Sequence, residues 1–313
     1  MFKASKLRQL ATRLHSQPAV QRAKTLPGLV PYRLADKRAL SVDIAVPMGM
    51  GAILAHAIRL RAWAETRGYG LRIRSTCPLY SDGADLFEQF FAPQQGAPDA
   101  PPLGPQASRW VLRNEMPRHI PLDQSIAIAA DLLRPNARLE AAISEARGGQ
   151  DFDMAIHYRG TDKVLETGVA PFEELLTAAA PYLEGAQSVF LATDDAPFAA
   201  RIRADWPGVR FVSYDLGEVA AGVPRHFSDL PAELKAQEAL VNMVCIARTP
   251  LCLRTSSYMS SLSRILNPAH RTLTVNKSLT RNTPYPELEI LEAETREGPP
   301  PRPGTAQPLD RSP

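Results

Sequence analysis

The sequence has little of what marks several common protein classes. It has only three cysteines in 313 residues, and Cys77, Cys245 and Cys252 show neither zinc-ligand spacing nor a pairing pattern. Unpaired thiols are typical of a reducing compartment. No apolar run is long enough for a membrane span or a secretion signal. These absences argue against a disulfide scaffold, a structural zinc domain and a membrane-spanning protein.

Several functional motifs are missing as well. There is no Gly-x-Ser-x-Gly nucleophile turn and no Gly-Lys-Ser/Thr phosphate loop. The six histidines lie far apart and form no metal pair at helical spacing. A net charge of +3, without a basic patch interleaved with aromatic residues, does not predict nucleic-acid binding.

What the sequence does contain is a regular alternation of strand and helix patterns in its second half. Short apolar runs alternate with segments that carry apolar residues at helical spacing. Such alternation predicts an α/β fold with a parallel sheet and helices on both faces. The predicted strands cover residues 154–156, 188–193, 209–214, 251–253 and 271–275, and helices are predicted over 196–206 and 232–248.

Three of these strands are followed by polar loops. His157–Lys163 follows the first strand, Asp194 and Asp195 follow the second, and Thr255–Ser257 follows the fourth. The carboxyl ends of parallel strands meet at one edge of a sheet, where ligands bind. An arginine there can grip a phosphate through two parallel N–H bonds, while a lysine adds a point charge. We therefore expect an anion-binding site at this edge.

The first half predicts a smaller nucleotide-type unit. Val42–Val46 has the pattern of a strand, Gly49–Gly51 of a tight turn, Ile53–Glu65 of a helix, and Leu71–Arg74 of a second strand. The two glycines are not a dinucleotide fingerprint. They either allow close helix packing or contact a sugar or acceptor. The segment Ala92–Gln106, with five prolines in fifteen residues, is predicted to be a flexible insertion.

The length of the chain is sufficient for two lobes with cores of normal size. We place the boundary between the lobes near Gly148 and Gly149. The predicted organisation is a basic N-terminal segment (residues 1–35), a Rossmann-like acceptor lobe (36–148), a nucleotide-sugar lobe (149–290) and a disordered proline-rich tail (291–313).

The three polar loops also resemble the signature segments of a known family. The motifs His157–Lys163, Phe190–Asp195 and Thr255–Ser257 are similar in order and spacing to those of the α-1,6-fucosyltransferase family, which includes the bacterial nodulation fucosyltransferases. The likeness covers about residues 130 to 270. It implies a GT-B fold of two facing Rossmann-like lobes. It also implies an inverting, metal-independent transfer of fucose from GDP-fucose to a glycan, without a cofactor.

The resemblance assigns roles residue by residue. Arg159 would hold the pyrophosphate, with Asp162 and Lys163 in support, and Glu166 would be the general base. If Glu166 is not the base, Asp162, Glu173 and Asp194 are the next candidates. The other nucleotide-pocket residues implied are His157, Asp194, Asp195, Thr255, Ser256 and Ser257.

Two positions depart from the family pattern. Gly160 stands where eukaryotic members carry a second arginine, and Asn242 falls where the family has an acidic residue. These departures keep two alternatives open: a binding protein without turnover, and a transferase that uses another nucleotide sugar.

A metal-dependent transferase is a further alternative, because Asp151-Phe152-Asp153 matches an Asp-x-Asp pattern. This pattern stands before its strand, at the edge away from the other polar loops.

The N-terminal segment has a different character from the rest of the chain. Residues 1–35 contain seven Lys or Arg and no Asp or Glu. Leu7, Leu10 and Leu14 follow at helical spacing. The segment is either a helix packed on its own protein or an amphipathic helix on an anionic membrane surface. We expect a cytoplasmic protein with at most a weak membrane-surface contact.

Overall fold

Strands and helices alternate in the second half of the chain, as the sequence predicts, whereas four consecutive helices cover residues 86–147. The computed structural model describes residues 28–96, 99–160, 171–217, 225–276 and 283–303, and residues 28–34 are helical. The strands are β1 (Leu40–Asp43), β2 (Leu71–Arg74), β3 (Met154–Tyr158), β4 (Ser188–Thr193), β5 (Arg210–Val212), β6 (Leu251–Arg254) and β7 (Arg271–Thr274). The helices are α1 (Met50–Arg67), α2 (Leu86–Phe90), α3 (Pro105–Asn114), α4 (Leu122–Leu132), α5 (Ala137–Arg147), α6 (Phe172–Leu183), α7 (Ala196–Asp205), α8 (Ala232–Ala247), α9 (Tyr258–Leu266) and α10 (Glu287–Glu297).

The first lobe is built on two parallel strands and the helix that connects them. β1 pairs with β2 from Leu40 opposite Leu71 to Asp43 opposite Arg74. The connecting helix α1 is buried on several sides, as expected for a helix that is largely apolar all round. It ends where Gly68 adopts a left-handed φ of 65°, which a residue without Cβ does at little cost.

The strand β1 begins two residues and ends three residues earlier than predicted. The sequence pattern indicates Val42–Val46, whereas β1 ends at Asp43. The carboxylate of Asp43 accepts hydrogen bonds from the backbone N–H (2.9 Å) and the hydroxyl (2.7 Å) of Thr76. These bonds tie the end of β1 to the loop after β2, and the chain then turns towards α1.

The second lobe is a five-stranded parallel sheet with helices on both faces. Its strand order is β5-β4-β3-β6-β7. Alternate residues of each strand point to opposite faces. On one face, Ile156 and Leu191 pack with α6 and α7. On the other face, Ala155 and Phe190 pack with residues of α8. This arrangement confirms the predicted α/β fold with parallel sheets.

The two lobes share one hydrophobic core. Buried residues of α1 belong to the same cluster as residues of α8, α9 and the α8 face of the five-stranded sheet. Gly51 allows this approach, because a Cβ there would lie 2.7 Å from Tyr258 Cβ and 2.9 Å from the backbone nitrogen of Met259. Gly51 therefore has the packing role that was one of the two alternatives for the glycines after β1, whereas a Cβ on Gly49 would meet no atom within 4 Å.

The boundary predicted between the lobes falls at a turn. Gly148 and Gly149 both have left-handed φ angles, 56° and 71°, between the end of α5 and the start of β3. However, α5 itself packs against α8 of the second lobe. Its Glu140 receives two hydrogen bonds from Nη2 of Arg248, at 2.6 and 2.8 Å.

The start of the predicted tail needs correction, because residue 290 lies inside α10. Acidic residues of α10 meet basic and hydroxyl groups of the second lobe. Glu287 forms a buried ion pair with Arg254, and Glu294 accepts from the Thr274 hydroxyl at 2.7 Å. Beyond the helix, the carbonyl of Pro300 accepts from the Tyr182 hydroxyl at 3.3 Å. Partners distant in sequence therefore order residues 291–303, which composition alone does not reveal.

Within the part of the chain described above, no helix combines the length and apolar character needed to cross a bilayer.

The buried side chain of His270 predicts a pH dependence of stability. It is 0 % exposed and contacts the Thr249 carbonyl at 2.7 Å and the Ser263 hydroxyl at 3.1 Å. Burial lowers its pKa from 6.5 to about 4. The unfolded state therefore binds the proton first as the pH falls, and stability is lost from pH 6.5 downwards.

Because of His270, we expect the unfolding free energy to fall by about 2 kcal/mol when the pH is lowered from 7.5 to 5. Chemical denaturation of the wild type and of His270→Asn over this range measures the effect. The variant should have a lower stability at pH 7.5 and a shallower pH slope. The slope will not vanish, since burial also lowers the pKa of His56. Equal slopes in both proteins would contradict this account.

Candidate functional site

A pocket of about 90 Å³, open to solvent on one side, lies at the carboxyl ends of β3 and β4. Side chains from both lobes line it. The first lobe contributes Tyr80, and the second contributes strand ends, the loop after β5 and one face of α8. The lining residues are Tyr80, His157, Tyr158, Arg159, Leu191, Ala192, Thr193, Asp194, Asp215, Arg225, Lys235, Glu238, Ala239, Asn242 and Met259.

The end of β3 delivers two of the predicted site residues to this pocket. His157 is buried and lines it beside residues of α8. The next residue, Tyr158, points to the opposite face, because side chains alternate along a strand. There its ring stacks on Phe198, with ring centroids 4.3 Å apart. Arg159 follows at the rim of the pocket and is partly exposed.

Two backbone hydrogen bonds hold the chain immediately after β3. The N–H of Arg159 donates to the hydroxyl of Thr255 at 2.9 Å. The N–H of Gly160 donates to Oδ1 of Asp194 at 3.0 Å. The loops after β3, β4 and β6 are thereby joined at one point. The sequence prediction that these three loops converge is consistent with this geometry.

Gly160 is closely surrounded. A Cβ at this position would lie 2.5 Å from Oδ2 of Asp195 and 2.8 Å from Cε1 of Tyr158. Real side-chain atoms do not approach so closely, so a residue larger than glycine requires one of these groups to move. The packing therefore accounts for glycine where the resembling family carries a second arginine.

The two aspartates after β4 have different roles. Asp194 lines the pocket and accepts from Gly160. Oδ1 of Asp195 instead accepts from the N–H of Phe198 at 2.8 Å and caps the first turn of α7. A carboxylate at this helix position also interacts favourably with the helix dipole.

The hydroxyl-rich loop after β6 is firmly anchored. The Ser256 N–H donates to Oδ1 of Asn276 at 2.8 Å, and Ser257 is the first residue before α9. Just before the loop, the fully buried guanidinium of Arg254 contacts Glu287 and donates to the Ser261 hydroxyl at 2.8 Å. A buried charge pair of this kind is costly to disrupt from one side, so it fixes the end of β6.

One face of α8 forms the wall opposite the strand ends. Lys235, Glu238 and Asn242 recur at helical spacing and line the pocket. The Asn242 amide donates to the carbonyls of Tyr214 at 2.9 Å and of Glu238 at 3.0 Å. Asn242 is thus in the predicted pocket, and its amide nitrogen is committed to the backbone.

The sequence alone did not point to the acidic residue of this wall. Glu238 lies one turn before Asn242, is buried, and is paired with Arg225. The signal was present, since Lys235, Glu238 and Asn242 are polar residues on one face of a largely apolar helix. The resemblance to the family places its acidic residue at Asn242, one helical turn after Glu238.

The pocket also contains two cations that the sequence analysis did not select. Arg225 and Lys235 line it together with Arg159. Lys235 Nζ donates to the Ser228 carbonyl at 3.1 Å. Positive charge near an anion site strengthens binding, most of all where water is partly excluded. Lys235 therefore adds positive charge to the pocket, whereas the charge of Arg225 is paired with that of Glu238.

Tyr80 brings the first lobe to the site. Its hydroxyl accepts from the N–H of Met50 at 3.1 Å, at the first turn of α1. Met259, at the start of α9, completes the junction. The pocket thus lies between the lobes, in the position that the fold predicts for a ligand.

Some predicted residues lie elsewhere. Asp162, Lys163 and Glu166 are outside the described residues. The pair Asp151 and Asp153 stands at the amino end of β3, across the sheet from the pocket. Oδ2 of Asp153 accepts from the backbone of Gln187 at 2.7 Å and of Ser188 at 2.9 Å.

Comparison with known proteins supports the fold at the level of structure only. No family model and no curated protein matches the chain. Its fold is similar to NodZ alpha-1,6-fucosyltransferase soaked with GDP-fucose, with a TM-score of 0.50, 16 % identity, and coverage of 75 % of this chain and 94 % of that chain. The same enzyme co-crystallized with GDP gives a TM-score of 0.50 at 17 % identity, with coverage of 77 % of this chain and 95 % of that chain.

A plant enzyme has the same fold. A point mutant of Arabidopsis thaliana FUT1 in complex with GDP gives a TM-score of 0.50 at 10 % identity, with coverage of 90 % of this chain and 80 % of that chain. These similarities confirm the predicted GT-B type fold with parallel sheets.

The tight surroundings of Gly160 give a direct test of the site geometry. We expect Gly160→Ala to lower the unfolding free energy by about 1 to 3 kcal/mol, because the methyl group must displace Asp195 or Tyr158. Gly208→Ala is the matched control, since a Cβ there meets no atom within 4 Å. Denaturant titration measures both variants. Equal stability of the two would contradict the crowding at position 160.

Proposed function

We propose that this protein is a glycosyltransferase that moves fucose from GDP-fucose to a glycan acceptor, with inversion and without a metal. The fold it shares with fucosyltransferases supports this reaction class. The three polar loops that meet at the pocket support the site. The resemblance of the His157–Lys163 motif to the α-1,6-fucosyltransferase family supports the choice of donor.

The position of Arg159 is the observation that carries the proposal. Its backbone is held by Thr255 at the junction of three loops, and its side chain lines a pocket between two lobes. A guanidinium so placed is suited to a diphosphate, because its planar fork matches two phosphate oxygens. His157 and Asp194 line the same pocket, as expected for residues near the nucleotide.

The cations of the pocket suit the chemistry of sugar transfer. As the bond to the sugar breaks, negative charge grows on the departing diphosphate while the sugar becomes oxocarbenium-like. Preorganised positive groups stabilise that charge most in the transition state. We assign this role to Arg159, with Lys163 and Asp162 in support. Lys235, which also lines the pocket, adds to the positive field.

A base on the other side of the sugar completes the mechanism. It takes the proton from the acceptor hydroxyl as that oxygen attacks the sugar carbon. We assign this role to Glu166, following the family motif. Of the other candidates for the base, Asp194 already accepts a hydrogen bond from the N–H of Gly160. Glu173 is exposed on the first turn of α6.

Two alternatives to fucose transfer have a specific basis. Gly160 in place of an arginine favours a protein that binds the nucleotide without turnover, but Lys235 supplies positive charge to the same pocket. Asn242 in place of an acid favours another nucleotide sugar, but Glu238 provides a carboxylate on the same helix face. Both observations favour the transferase with a guanine nucleotide donor.

The cellular setting stays a prediction. Cys77, Cys245 and Cys252 are unpaired and buried, which suits a reducing, cytoplasmic environment. A weak membrane-surface contact through residues 1–35 is supported by two exposed apolar side chains, Val30 (51 %) and Leu34 (81 %). Residues 1–27, which hold most of the basic charge, lie outside the described residues.

Removal of the Arg159 side chain tests nucleotide binding. We expect calorimetry to show that GDP binds more tightly than UDP, ADP or CMP. In Arg159→Ala, GDP affinity should fall at least about tenfold, as expected for the loss of a charged hydrogen-bonding partner. Arg201→Ala, which removes an exposed arginine paired with Asp205 on α7, should leave GDP binding unchanged. Absence of GDP binding, or an unaltered affinity in Arg159→Ala, would remove the basis of the proposal.

Glu166→Gln tests turnover separately from binding. We expect it to keep GDP affinity while transfer falls by about a hundredfold or more, since the amide cannot accept the acceptor's proton. GDP release from GDP-fucose, measured with a panel of oligosaccharide acceptors, gives the rate. Glu174→Gln, an exposed residue of α6, is the control. Undiminished transfer would move the base to Asp162, Glu173 or Asp194. A protein that binds GDP but never releases fucose would support the non-catalytic alternative.

A further inference from the structure

A cluster of charged and polar side chains lies where the first lobe meets α10. Nδ1 of His119, in the loop before α4, contacts Oε1 of Glu289 on α10 at 2.9 Å. Nε of Arg59, on α1, donates to the carbonyl of Pro117 in the same loop at 2.7 Å. This loop therefore carries one cluster member and anchors another. We call Arg59, His119 and Glu289 the junction cluster.

Glu289 is a buried carboxylate with one unsatisfied oxygen. It is 8 % exposed, and burial raises its pKa. Among the residues that the structure describes, its Oε2 has no hydrogen-bond partner. A buried acceptor without a hydrogen bond is costly, so the carboxylate favours the one donor in contact with it. Nδ1 of His119 therefore carries the hydrogen, and Nε2 of the neutral imidazole is an acceptor.

Two groups of the junction cluster are available to a ligand. Within the described part of the chain, Nη1 and Nη2 of Arg59 form no hydrogen bond, and they are not fully buried. Nε2 of His119 has no partner there either, and the His119 side chain is 29 % exposed. The cluster thus presents N–H donors from one residue and a lone pair from another.

The first turn of α9 connects the junction cluster to the pocket between the lobes. Met259 lines that pocket, and the preceding residue is Tyr258. Burial lowers the pKa of Arg59, while electrostatic interactions with Tyr258 and Glu289 raise it. Arg59 is therefore near both residues. A ligand that extends from the pocket past the start of α9 meets the junction cluster.

We propose that the junction cluster is a subsite for hydroxyl groups of a neutral glycan acceptor. This inference rests on the proposed function and adds to it residues that contact the acceptor. Arg59 donates from its terminal nitrogens to sugar oxygens, and Nε2 of His119 accepts from a sugar hydroxyl. Glu289 is a positioning residue, because it acts on the sugar only through the tautomer and orientation of His119.

The charges of the cluster favour neutral hydroxyl groups over an anion. A hydroxyl both donates and accepts, so it can pair with Arg59 or with His119. An anion would be attracted by Arg59 but would also meet the lone pair of Nε2 and the negative charge of Glu289. In partly buried surroundings that repulsion is strong. One positive and one negative charge therefore select an uncharged ligand.

The two sides of the junction cluster are held in place by a second contact. The hydroxyl of Tyr285, before α10, donates to Oγ of Ser125 on α4 at 3.0 Å. Both residues are buried. Together with the contact between His119 and Glu289, this bond ties α10 to the loop before α4 and to α4 itself. A subsite organised in advance loses less conformational freedom on binding.

Binding of simple sugars tests the subsite without a need for turnover. Saturation-transfer NMR is carried out with four neutral disaccharides, lactose, cellobiose, maltose and α-1,6-mannobiose, and with glucuronate and inorganic phosphate as anionic competitors. We expect the wild type to bind at least one disaccharide, and neither anion to displace it. Arg59→Gln should weaken this binding about tenfold, because it removes a charged donor.

Two further variants and a control complete the binding test. His119→Ala should weaken disaccharide binding about threefold or more, since a neutral acceptor is lost. Arg59→Lys keeps the charge but lacks the planar fork, so it should weaken binding as well. It keeps the test decisive if another variant does not fold. Arg109→Gln, an exposed residue of α3 in the same lobe, should bind as the wild type does.

The role of Glu289 has its own spectroscopic readout. The ¹⁵N chemical shifts of the His119 ring report which nitrogen carries the hydrogen. We expect the Nδ1–H tautomer in the wild type and a mixture of tautomers in Glu289→Gln, because an amide can accept from Nδ1 or donate to it. Disaccharide binding should weaken about threefold in the same variant. Glu292→Gln, exposed on α10, is the control. An unaltered tautomer in Glu289→Gln would contradict the positioning role.

The outcomes separate this inference from the proposed function. The subsite is overturned if the wild type binds none of the disaccharides, or if binding is unaltered in the Arg59 and His119 variants. It is also overturned if phosphate or glucuronate displaces the sugar. In each case, calorimetry that shows GDP binding leaves the proposed function standing. Disaccharide binding that depends on Arg59, in a protein that binds no GDP, would overturn the proposed function alone.

Discussion

The candidate site depends on two backbone N–H groups at the end of β3. The N–H of Arg159 is held by Thr255 and that of Gly160 by Asp194, so one loop is tied to the loops of both neighbouring strands. Each acceptor is a side chain placed by its own strand, which makes the junction rigid. The backbone position of Arg159 at the rim of the pocket follows from this junction.

The close approach of the two lobes sets the other wall of the pocket. Gly51 allows the first turn of α1 to lie against α9, and Tyr80 is held to that turn through Met50. Because the lobes share a continuous core, their contact is more than a hinge between independent units. The small two-stranded sheet of the first lobe needs this support, since a pair of strands buries little apolar surface alone.

Charge in the pocket is balanced between groups on different elements. Arg159 comes from the loop after β3, Lys235 and Glu238 come from α8, and Arg225 precedes that helix. The ion pair between Arg225 and Glu238 lowers the repulsion among the cations of the pocket.

Most of the architecture could be predicted from the sequence, because it follows from local periodicity. The alternation of apolar runs and helical patterns determined β3, β4, β6, α8 and their order, and the polar residues after each strand determined which edge carries the site. The resemblance of three motifs to the fucosyltransferases added the GT-B arrangement, which the structural similarities confirm.

Only the tertiary structure decided which side chains meet. The roles of Gly160 and Asp195, the pairing of Glu238 with Arg225, and the ordering of α10 by Arg254 all depend on partners that are distant in sequence or on different elements. The physical reason is that periodicity reports which face of an element is buried. It carries no information about the distances between groups on separate elements, and those distances determine the hydrogen bonds and ion pairs of the site.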